Sequence, residues 1–524
     1  MGAAAGIFKN IRVYWLAFIV YWGIVLFGYD TGIGGGVVSA PYFQEHFGLL
    51  NEDGTKDVKK SNEVSSNVVS VLQAGAFFGA LGSAPISAKI GRMYTLIIFN
   101  SLFLILTTIA SGENGLAEIY AGRVISGVGI GGISTVAPAY VSECAPKEVR
   151  GRITGCFQIM VAAGIMISYF INYGVGIHIT SGVNVWRIPF GFQLVPAGIL
   201  GLGLLTIKES PRWLASVGRN QEAIKNLAYL RRETTDSEEI IHEMSEIEAA
   251  IQEEREARAS LGIRAAFLGK GNLVRFIIAF MIFLIQQWSG QNSVGYYAPQ
   301  IFASIGFTGV KNSLFASGIY GVVKVTATTI SIFFGVESLG RKLSLFVSAM
   351  GMGSLFFIIG SILKTHPPPI LVPGAAPPPP PPASKAMAAM LYIHACFFAM
   401  GWGPIPWVYV SEIFPTKTRH YGLALASATQ WLFNFVVSKF TPDMISDLGY
   451  KIFLMFAAVN IGAMGLFSLL IPETKGRSLE EMDIIFGAIT EEQRQADIDK
   501  QEREKKNPAT QSKHSYSIDN YGSV

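Results

Sequence analysis

Charged residues and cysteines are both scarce in this sequence. Only 15% of the 524 residues are Asp, Glu, Lys or Arg, whereas a soluble globular chain carries about 25%. The three cysteines show no Cys-x-x-Cys or Cys/His spacing, so neither a disulfide framework nor a metal site is supported. The formal net charge of +4 is small and scattered along the chain, which argues against nucleic acid as a partner.

Apolar residues and glycine are abundant instead. Half of the residues are hydrophobic, the mean hydropathy is +0.39, and the chain has 56 glycines and 35 phenylalanines. This composition suits helices that pack closely on one another and face lipid. The first apolar run is longer than that of a cleaved signal peptide, so we interpret it as a membrane span.

Apolar runs along the chain predict an all-α membrane protein with twelve spans. A bilayer core of about 30 Å needs roughly 20 apolar residues per helix. Runs that meet this length lie at 12–38, 64–86, 93–112, 116–142, 151–174, 187–207, 274–302, 313–335, 343–363, 386–411, 420–446 and 450–471.

The spans divide the chain into two six-helix halves, at 12–207 and 273–471. The charged segment 208–272 between them has apolar residues at helical spacing, which predicts an amphipathic helical linker. A Pro-rich loop, 366–385, separates the ninth and tenth spans. The flanking segments 1–11 and 472–524 are expected to be polar tails.

Basic residues in alternate loops predict the orientation. They fall on the side of the linker and of both tails, which the positive-inside rule makes cytoplasmic. These residues are Lys89, Arg92, Lys147, Arg150, Arg152, Arg341, Lys342, Lys417 and Arg419.

An internal repeat relates the two halves. PAYVSECAPKEVRGR, which begins at Pro138, aligns without gaps with WVYVSEIFPTKTRHY, which begins at Trp407. IGRMYTL and LGRKLSL form a second pair at the start of the third span of each half. The halves are therefore parallel duplicates, an architecture in which the solute site lies between them.

Charged residues of the repeat predict a gate. Glu143 and Arg150 cannot lie in hydrocarbon, where each charge costs about 2.5–3.5 kcal/mol, so they lie at the membrane edge. Together with Arg92, Arg341, Glu412 and Arg419 they predict a charge network that joins both halves on the cytoplasmic side. The alternative is that these charges only set the topology.

Nine motifs in order resemble those of sugar porters of the major facilitator superfamily, over about residues 10–485. They are FGYDTG, IGRMY, AGRVISGVGIGG, PAYVSECAPKEVRGR, KESPRWL, QQWSGQNSVGYYAP, LGRK, GPIPWVYVSEIFP and PETKGRSLEE. The resemblance implies the major facilitator fold, alternating access, and a place for Glu209 in the gating network. Ala88 and Ile165 depart from residues common in the family, whereas Glu337 keeps the acidic residue of the second half.

Side-chain amides predict the solute site. A sugar presents hydroxyls that both donate and accept, so its site needs amides and an aromatic plate. By resemblance the cavity is lined by Phe27, Gln158, Gln286, Gln287, Asn292, Trp407, Gln430 and Asn434, with Tyr296 and Tyr297 as an outer gate. Gln291 is expected to point away, and Pro404 and Pro406 to break the tenth span. The alternative role for these amides is interhelical hydrogen bonding.

Asp30, Arg123 and Lys324 are ionisable residues within spans. Asp30 and Arg123 form a candidate proton-coupling pair, or else a static tie, because a carboxyl that alternates between water and a dry site can bind and release a proton. Lys324 is expected to pair either with a substrate carboxylate or with protein groups.

The sequence thus predicts a multi-pass carrier in the plasma membrane that imports a pentose or hexose, with a proton as the coupling ion and no cofactor. Its partners are expected to be the small solute and the lipid bilayer. A carrier of quinate or of a sugar acid such as galacturonate is the alternative, and a non-transporting nutrient sensor is a remote one. No motif indicates an enzyme.

Overall fold

The computed structural model describes residues 10–110, 115–259, 267, 269, 271–335, 340–369, 378–415, 418–477, 479–487 and 492. Glu337, Lys417, the side chains of Lys147 and Arg152, the centre of the Pro-rich loop and most of both tails lie outside the described residues. Within them no β-strand forms, and one isolated bridge joins Leu50 to Lys56.

The first half contains six helical spans. Spans 1 to 5 are Ile11–Val38, Val58–Ile90, Arg92–Ala110, Leu116–Cys144 and Lys147–His178, and span 6 consists of Asn184–Phe192 and Leu194–Leu204. A short helix, Pro41–His46, follows span 1.

The second half repeats this order. Span 7 consists of Asn272–Gln287, Gln291–Tyr296 and Ala298–Ser304, and span 8 consists of Val310–Ile330 and the π-helical Ser331–Gly335. Span 9 is Arg341–Thr365, span 10 consists of Pro382–Met400 and Ile405–Ile413, and span 11 is Arg419–Leu448. Span 12 consists of Lys451–Ala458, the π-helical Val459–Gly465 and Leu466–Leu470. Leu479–Ile485 follows. Each predicted span overlaps one of these helices, and the predicted fold class is confirmed.

The spans differ in how apolar they are. Within the described residues nine helical segments are long and apolar enough to cross a bilayer, and Arg92–Ile105 and Asn272–Gln287 are shorter apolar helices. Span 11 is more polar, with Asn434, Lys439 and Asp443 along it. It is polar because it faces the other half of the protein rather than lipid.

Glycine allows the helices of the first half to approach closely. A Cβ on Gly75 would lie 1.9 Å from the carbonyl oxygen of Val124, and one on Gly131 would lie 2.1 Å from that of Ala76. Small residues at such crossings bring helix backbones together, so spans 2 and 4 form a rigid pair.

The linker forms three helices, Pro211–Ser216, Asn220–Arg231 and Glu238–Ala259, with a small core of their own. They attach to span 1, where Arg12 donates to the carbonyl oxygen of Tyr229 at 2.7 Å. We call the side of the spans that carries them the linker face and the other side the opposite face. Between the halves, span 2 packs on span 11, span 5 on span 8, and span 1 on the broken part of span 7.

Candidate functional site

Span 7 is broken in the middle of the protein. Gly290 has φ +85, and a Cβ there would lie 2.8 Å from the rings of Phe356 and Phe456, so the position requires glycine. Asn460 donates to the freed carbonyl oxygen of Ser289 at 3.0 Å. Broken backbone at membrane depth is tolerated where protein groups or a cavity satisfy it. Sequence reasoning predicted the break in span 10 but not this one.

The break brings the predicted amides into one hydrogen-bonded network. Gln287 donates to Gln286 at 3.3 Å, and Asn292 donates to Gln287. Asn292 also lies 3.5 Å from the amide oxygen of Asn434 on span 11. Gln286 donates in turn to the carbonyl oxygen of Trp402. The network joins spans 7, 10 and 11 and offers both donors and acceptors, as a polyhydroxylated solute requires.

Asn434 is the centre of this network. Its amide nitrogen donates to the hydroxyl of Tyr296 at 2.7 Å and to the amide oxygen of Gln73 at 3.4 Å. Gln73 lies on span 2 and is fully buried, and its nitrogen has no partner among the described residues. Sequence reasoning missed Gln73, although an amide in an otherwise apolar stretch of span 2 was the available signal.

The other predicted lining residues lie around this network without joining it. The amide oxygen of Gln430 is buried and has no partner among the described residues, and Gln158 is half-buried on span 5. Trp407 is half-buried, with its ring 4.6 Å from that of Phe283. Gln291 turns away and donates to Tyr320 at 2.7 Å.

Aromatic rings meet across the two halves. Phe27 on span 1 lies 5.5 Å from Trp431 on span 11, measured between ring centroids. Trp431 was not predicted, although it directly follows Gln430. The two rings supply the apolar surface that the C–H faces of a sugar ring need.

Asp30 and Arg123 form a buried ion pair in the first half. Asp30 is fully buried and Arg123 is 3% exposed. Gln193 donates to the paired oxygen of Asp30 at 2.8 Å, and Arg123 also donates to the carbonyl oxygen of Val68 at 3.0 Å. The second carboxylate oxygen of Asp30 has no partner among the described residues. That oxygen is a place where a proton could bind, and Gln193 is a neighbour that sequence reasoning missed.

The predicted gate tyrosines lie where spans 1 and 7 touch. A Cβ on Gly35 would lie 2.1 Å from the carbonyl oxygen of Tyr296. Tyr297 is buried and donates to the carbonyl oxygen of Ser438 at 2.6 Å. This contact closes the site toward the opposite face.

Polar contacts between spans 2 and 11 extend this closure. Asn62 donates to Asp443 at 3.2 Å and to Ser446 at 2.9 Å, and Lys439 donates to Ser66 at 3.2 Å and to Asn67. Gln300 of span 7 donates to Ser65 at 2.8 Å. We call these contacts the opposite-face latch. None of them was predicted.

Charged residues on the linker face form one cluster in each half. In the first, Arg92 pairs with Glu143 at 2.8 Å, and Ser210 donates to Glu143 at 2.6 Å. Glu209 accepts from the backbone N–H groups of Arg92 and Met93 at 2.9 and 3.0 Å.

The second half reproduces this cluster. Arg341 pairs with Glu412 at 2.7 Å, and Thr474 donates to Glu412 at 2.6 Å. Glu473 accepts from the backbone N–H groups of Arg341 and Lys342 at 3.0 and 2.9 Å. Glu473 was not predicted; its signal was the Glu-Thr pair that matches Glu209 and Ser210.

The predicted charge network across both halves is not formed by these residues. Each ion pair of the described residues in these clusters lies within one half, and Arg150 and Arg419 donate to the carbonyl oxygens of Ala145 and Phe414. Since the halves touch on the opposite face, the linker-face clusters have no reason to meet in this conformation. The network is therefore not formed in this conformation, and its role as a two-state latch stays a prediction.

Lys324 lies on span 8, one helical turn beyond Tyr320, and is half-buried. Span 10 carries His394, a fully buried ring whose two nitrogens have no partner among the described residues. Lys324 makes no hydrogen bond with the amide network.

Comparisons with known proteins agree with this geometry. A family model described as "Sugar (and other) transporter" matches residues 16–486. A "Probable quinate permease" of Neosartorya fischeri is 36% identical over 486 residues, which cover 91% of this chain and 88% of the relative. The "Quinate permease" of Emericella nidulans is 36% identical over 488 residues, with 91% and 89% covered.

Solved structures of the xylose transporter XylE share the fold. The partially occluded inward open conformation of XylE from E. coli matches with a TM-score of 0.72 and 24% identity, covering 89% of this chain and 99% of that one. The proton:xylose symporter XylE bound to 6-bromo-6-deoxy-D-glucose matches with a TM-score of 0.71 and 26% identity, covering 91% and 100%. The expected fold and resemblance are thereby confirmed.

Proposed function

The chain belongs to the sugar transporter family and is a multi-pass membrane carrier, and from this premise we propose that it imports a monosaccharide together with a proton. The observation that carries the proposal is the amide network at the break in span 7, next to a buried ion pair with a free carboxylate oxygen.

The amide network supports a polyhydroxylated solute. Asn292 and Asn434 come from different spans and face one another, and the oxygen of Gln430 is left without a partner among the described residues. A buried amide oxygen without a partner costs about 1–3 kcal/mol. A solute hydroxyl would supply the missing donor and recover that cost.

The ion pair supports proton coupling. Asp30 is held by Arg123 and Gln193 through one oxygen only. Protonation of the other oxygen would weaken its attraction to Arg123, which also holds span 2 through Val68. A proton could therefore change how span 2 is held. The relative whose structure is named a proton:xylose symporter is consistent with this chemistry.

We propose the plasma membrane as the location of the carrier, and the basic loops of the linker face support a cytoplasmic location for that face and for both tails. The described conformation, which is closed on the opposite face, would then be the one that releases the solute inward.

Uptake of radiolabelled xylose and glucose into cells that lack their own sugar carriers tests the proposal. We expect saturable uptake of at least one of these sugars. We also expect the cells to accumulate it above its external concentration, and a protonophore to abolish that accumulation. Uptake of neither sugar, with the protein present at the cell surface, would contradict it.

A carrier of quinate or a sugar acid is the second candidate. Two observations favour it: the relatives at 36% identity are named quinate permeases, and Lys324 places an ammonium group within a span. Quinate in the same assay, alone and as competitor of xylose, distinguishes the two candidates.

A further inference from the structure

Gln73 is the residue of the first half that enters the amide network. It lies on span 2, is fully buried, and accepts from the amide nitrogen of Asn434 at 3.4 Å. Its own amide nitrogen has no partner among the described residues. Leaving a buried amide unsatisfied is costly, so the position is not explained by packing alone.

Both hydrogen-bond donors of Asn434 are engaged in this conformation. The two hydrogens of its nitrogen are directed to Tyr296 and Gln73, and its oxygen faces Asn292 at 3.5 Å. An amide offers two donors from its nitrogen. A solute hydroxyl that accepts from Asn434 must therefore displace one of these partners.

Gln73 is the partner that would leave when the opposite face opens. It lies on span 2, which also carries Asn62 and Ser66 of the opposite-face latch, and Asn434 lies on span 11, which carries their partners Asp443 and Lys439. Separation of these two spans would break the latch and the contact of Gln73 with Asn434 together. Tyr296, by contrast, belongs to the same half as Asn434.

We propose that Gln73 takes the place of a solute hydroxyl on Asn434 in the empty carrier, so that closure of the opposite face and binding of the solute from that side compete for one amide donor. Gln73 is a positioning residue in this scheme. The inference rests on the proposed function in one respect, namely that Asn434 contacts the solute.

The competition has a consequence for affinity on the two sides. Loss of the contact destabilises the empty conformation closed on the opposite face, and an apparent dissociation constant varies inversely with the population of the competent state. One hydrogen bond corresponds to about a threefold to tenfold change. Affinity measured from the opposite face should rise by that factor, whereas on the linker face the smaller population of the competent state and the freed donor of Asn434 oppose one another.

The test compares Gln73→Leu with Asn100→Leu in the full-length carrier. Asn100 is also a buried amide of the first half, but it donates within that half, to the carbonyl oxygen of Ala197 at 3.0 Å. Ser65→Cys, in a background without the three native cysteines, reports opening, because Ser65 is 2% exposed and contacts Gln300. The readouts are labelling of Cys at position 65 by an impermeant maleimide from the opposite face, without solute, and half-saturation for xylose on each side.

We expect Gln73→Leu to label about threefold to tenfold faster than the parent and to lower the half-saturation constant measured from the opposite face by a similar factor, while Asn100→Leu changes neither. Equal labelling of Gln73→Leu and the parent would overturn the proposal, as would equal loss of affinity on both sides, which would make Gln73 a simple solute contact. Labelling is measured without solute, so it still tests the role of Gln73 if the carrier does not transport xylose. If Gln73→Leu does not fold, Gln73→Met keeps the chain length without the amide and is read by the same criteria.

Discussion

Glu473 accepts hydrogen bonds from two successive backbone N–H groups at the start of span 9, and Glu209 does so at the start of span 3. The first N–H groups of a helix have no partner within it, and the positive end of the helix favours an anion. Each carboxylate therefore caps a helix from a distant part of the chain. The close approach of each carboxylate requires glycine at the position before the helix. A Cβ on Gly91 would lie 2.3 Å from Glu209, and one on Gly340 would lie 2.9 Å from Glu473.

The two carboxylates differ in burial, and this predicts opposite pH dependences. Burial raises the pKa of Glu209, which is 7% exposed, despite its backbone hydrogen bonds. Burial also acts on Glu473, but hydrogen bonds from four backbone N–H groups outweigh it and lower its pKa. A raised carboxyl pKa gives stability that is lost as pH rises, and a lowered one gives stability that is lost as pH falls.

Thermal unfolding of Glu209→Gln and Glu473→Gln in detergent checks this prediction. The advantage of the parent over Glu209→Gln should grow as pH falls from about 7 toward the ordinary carboxyl value near 4.5. Its advantage over Glu473→Gln should persist to that pH and shrink below it. If the two stability differences change with pH in the same direction, the opposite pKa shifts of Glu209 and Glu473 are contradicted.

Asp30→Asn should abolish uphill accumulation and leave equilibrative exchange. Asn retains an oxygen that can accept from Gln193 but cannot take up the proton. One proton moving through 100 mV supplies about 2.3 kcal/mol, enough for roughly 40-fold accumulation. The accumulation ratio and solute counterflow are measured on the same cells.

The control is Asp53→Asn, an exposed carboxyl in the loop before span 2, which should accumulate solute like the parent. Parental uptake that ignores both a protonophore and external pH would refute proton coupling.

Gln287→Ala and Asn292→Ala should each raise the KM at least about tenfold at normal surface expression. The reason is that each removes a hydrogen bond and leaves its neighbour in the network without a partner. Gln291→Leu is the matched control, because Gln291 belongs to the same stretch but bonds to Tyr320. If KM is unchanged in both variants, the amides serve only to join helices.

Sequence reasoning reached the fold and the amides but not the contacts between halves. The spans follow from apolar length, and Gln287 and Asn292 follow from the cost of amides in a membrane and from family resemblance. The contacts of Gln73 and Lys439 were not predicted, because the sequence around a polar residue does not show which distant span that residue contacts. That pairing depends on the conformation of the carrier.

The same reason explains why the sequence could not show whether the gating network is formed in a given conformation. Arg92 and Glu143 were expected near one another, and they pair at 2.8 Å. The sequence repeat does not show whether the Arg92–Glu143 cluster contacts the Arg341–Glu412 cluster, since the distance between the two clusters changes with the conformation. Gln193, by contrast, was recoverable, because an amide within span 6 needs a partner and Asp30 is one.

The last prediction concerns Lys324, which separates the two candidate solutes. An ammonium within a span must be paired, hydrated or deprotonated, and this one is half-buried on span 8. If the solute is a neutral sugar, Lys324→Asn should change its KM by only a few-fold. If the solute is an acid, the substitution strands a carboxylate, which costs about 3–5 kcal/mol, or a hundredfold or more in affinity.

Uptake of xylose and of quinate by Lys324→Asn is compared with uptake by Lys385→Asn, which removes an exposed ammonium at the start of span 10. We expect xylose uptake to survive in both variants, because the amide network recognises hydroxyls and makes no hydrogen bond with Lys324. A parent that never transports xylose or glucose, with quinate uptake that collapses in Lys324→Asn alone, would reverse this expectation. The hydroxyl-binding amides would then hold the ring of an acid whose carboxylate pairs with Lys324.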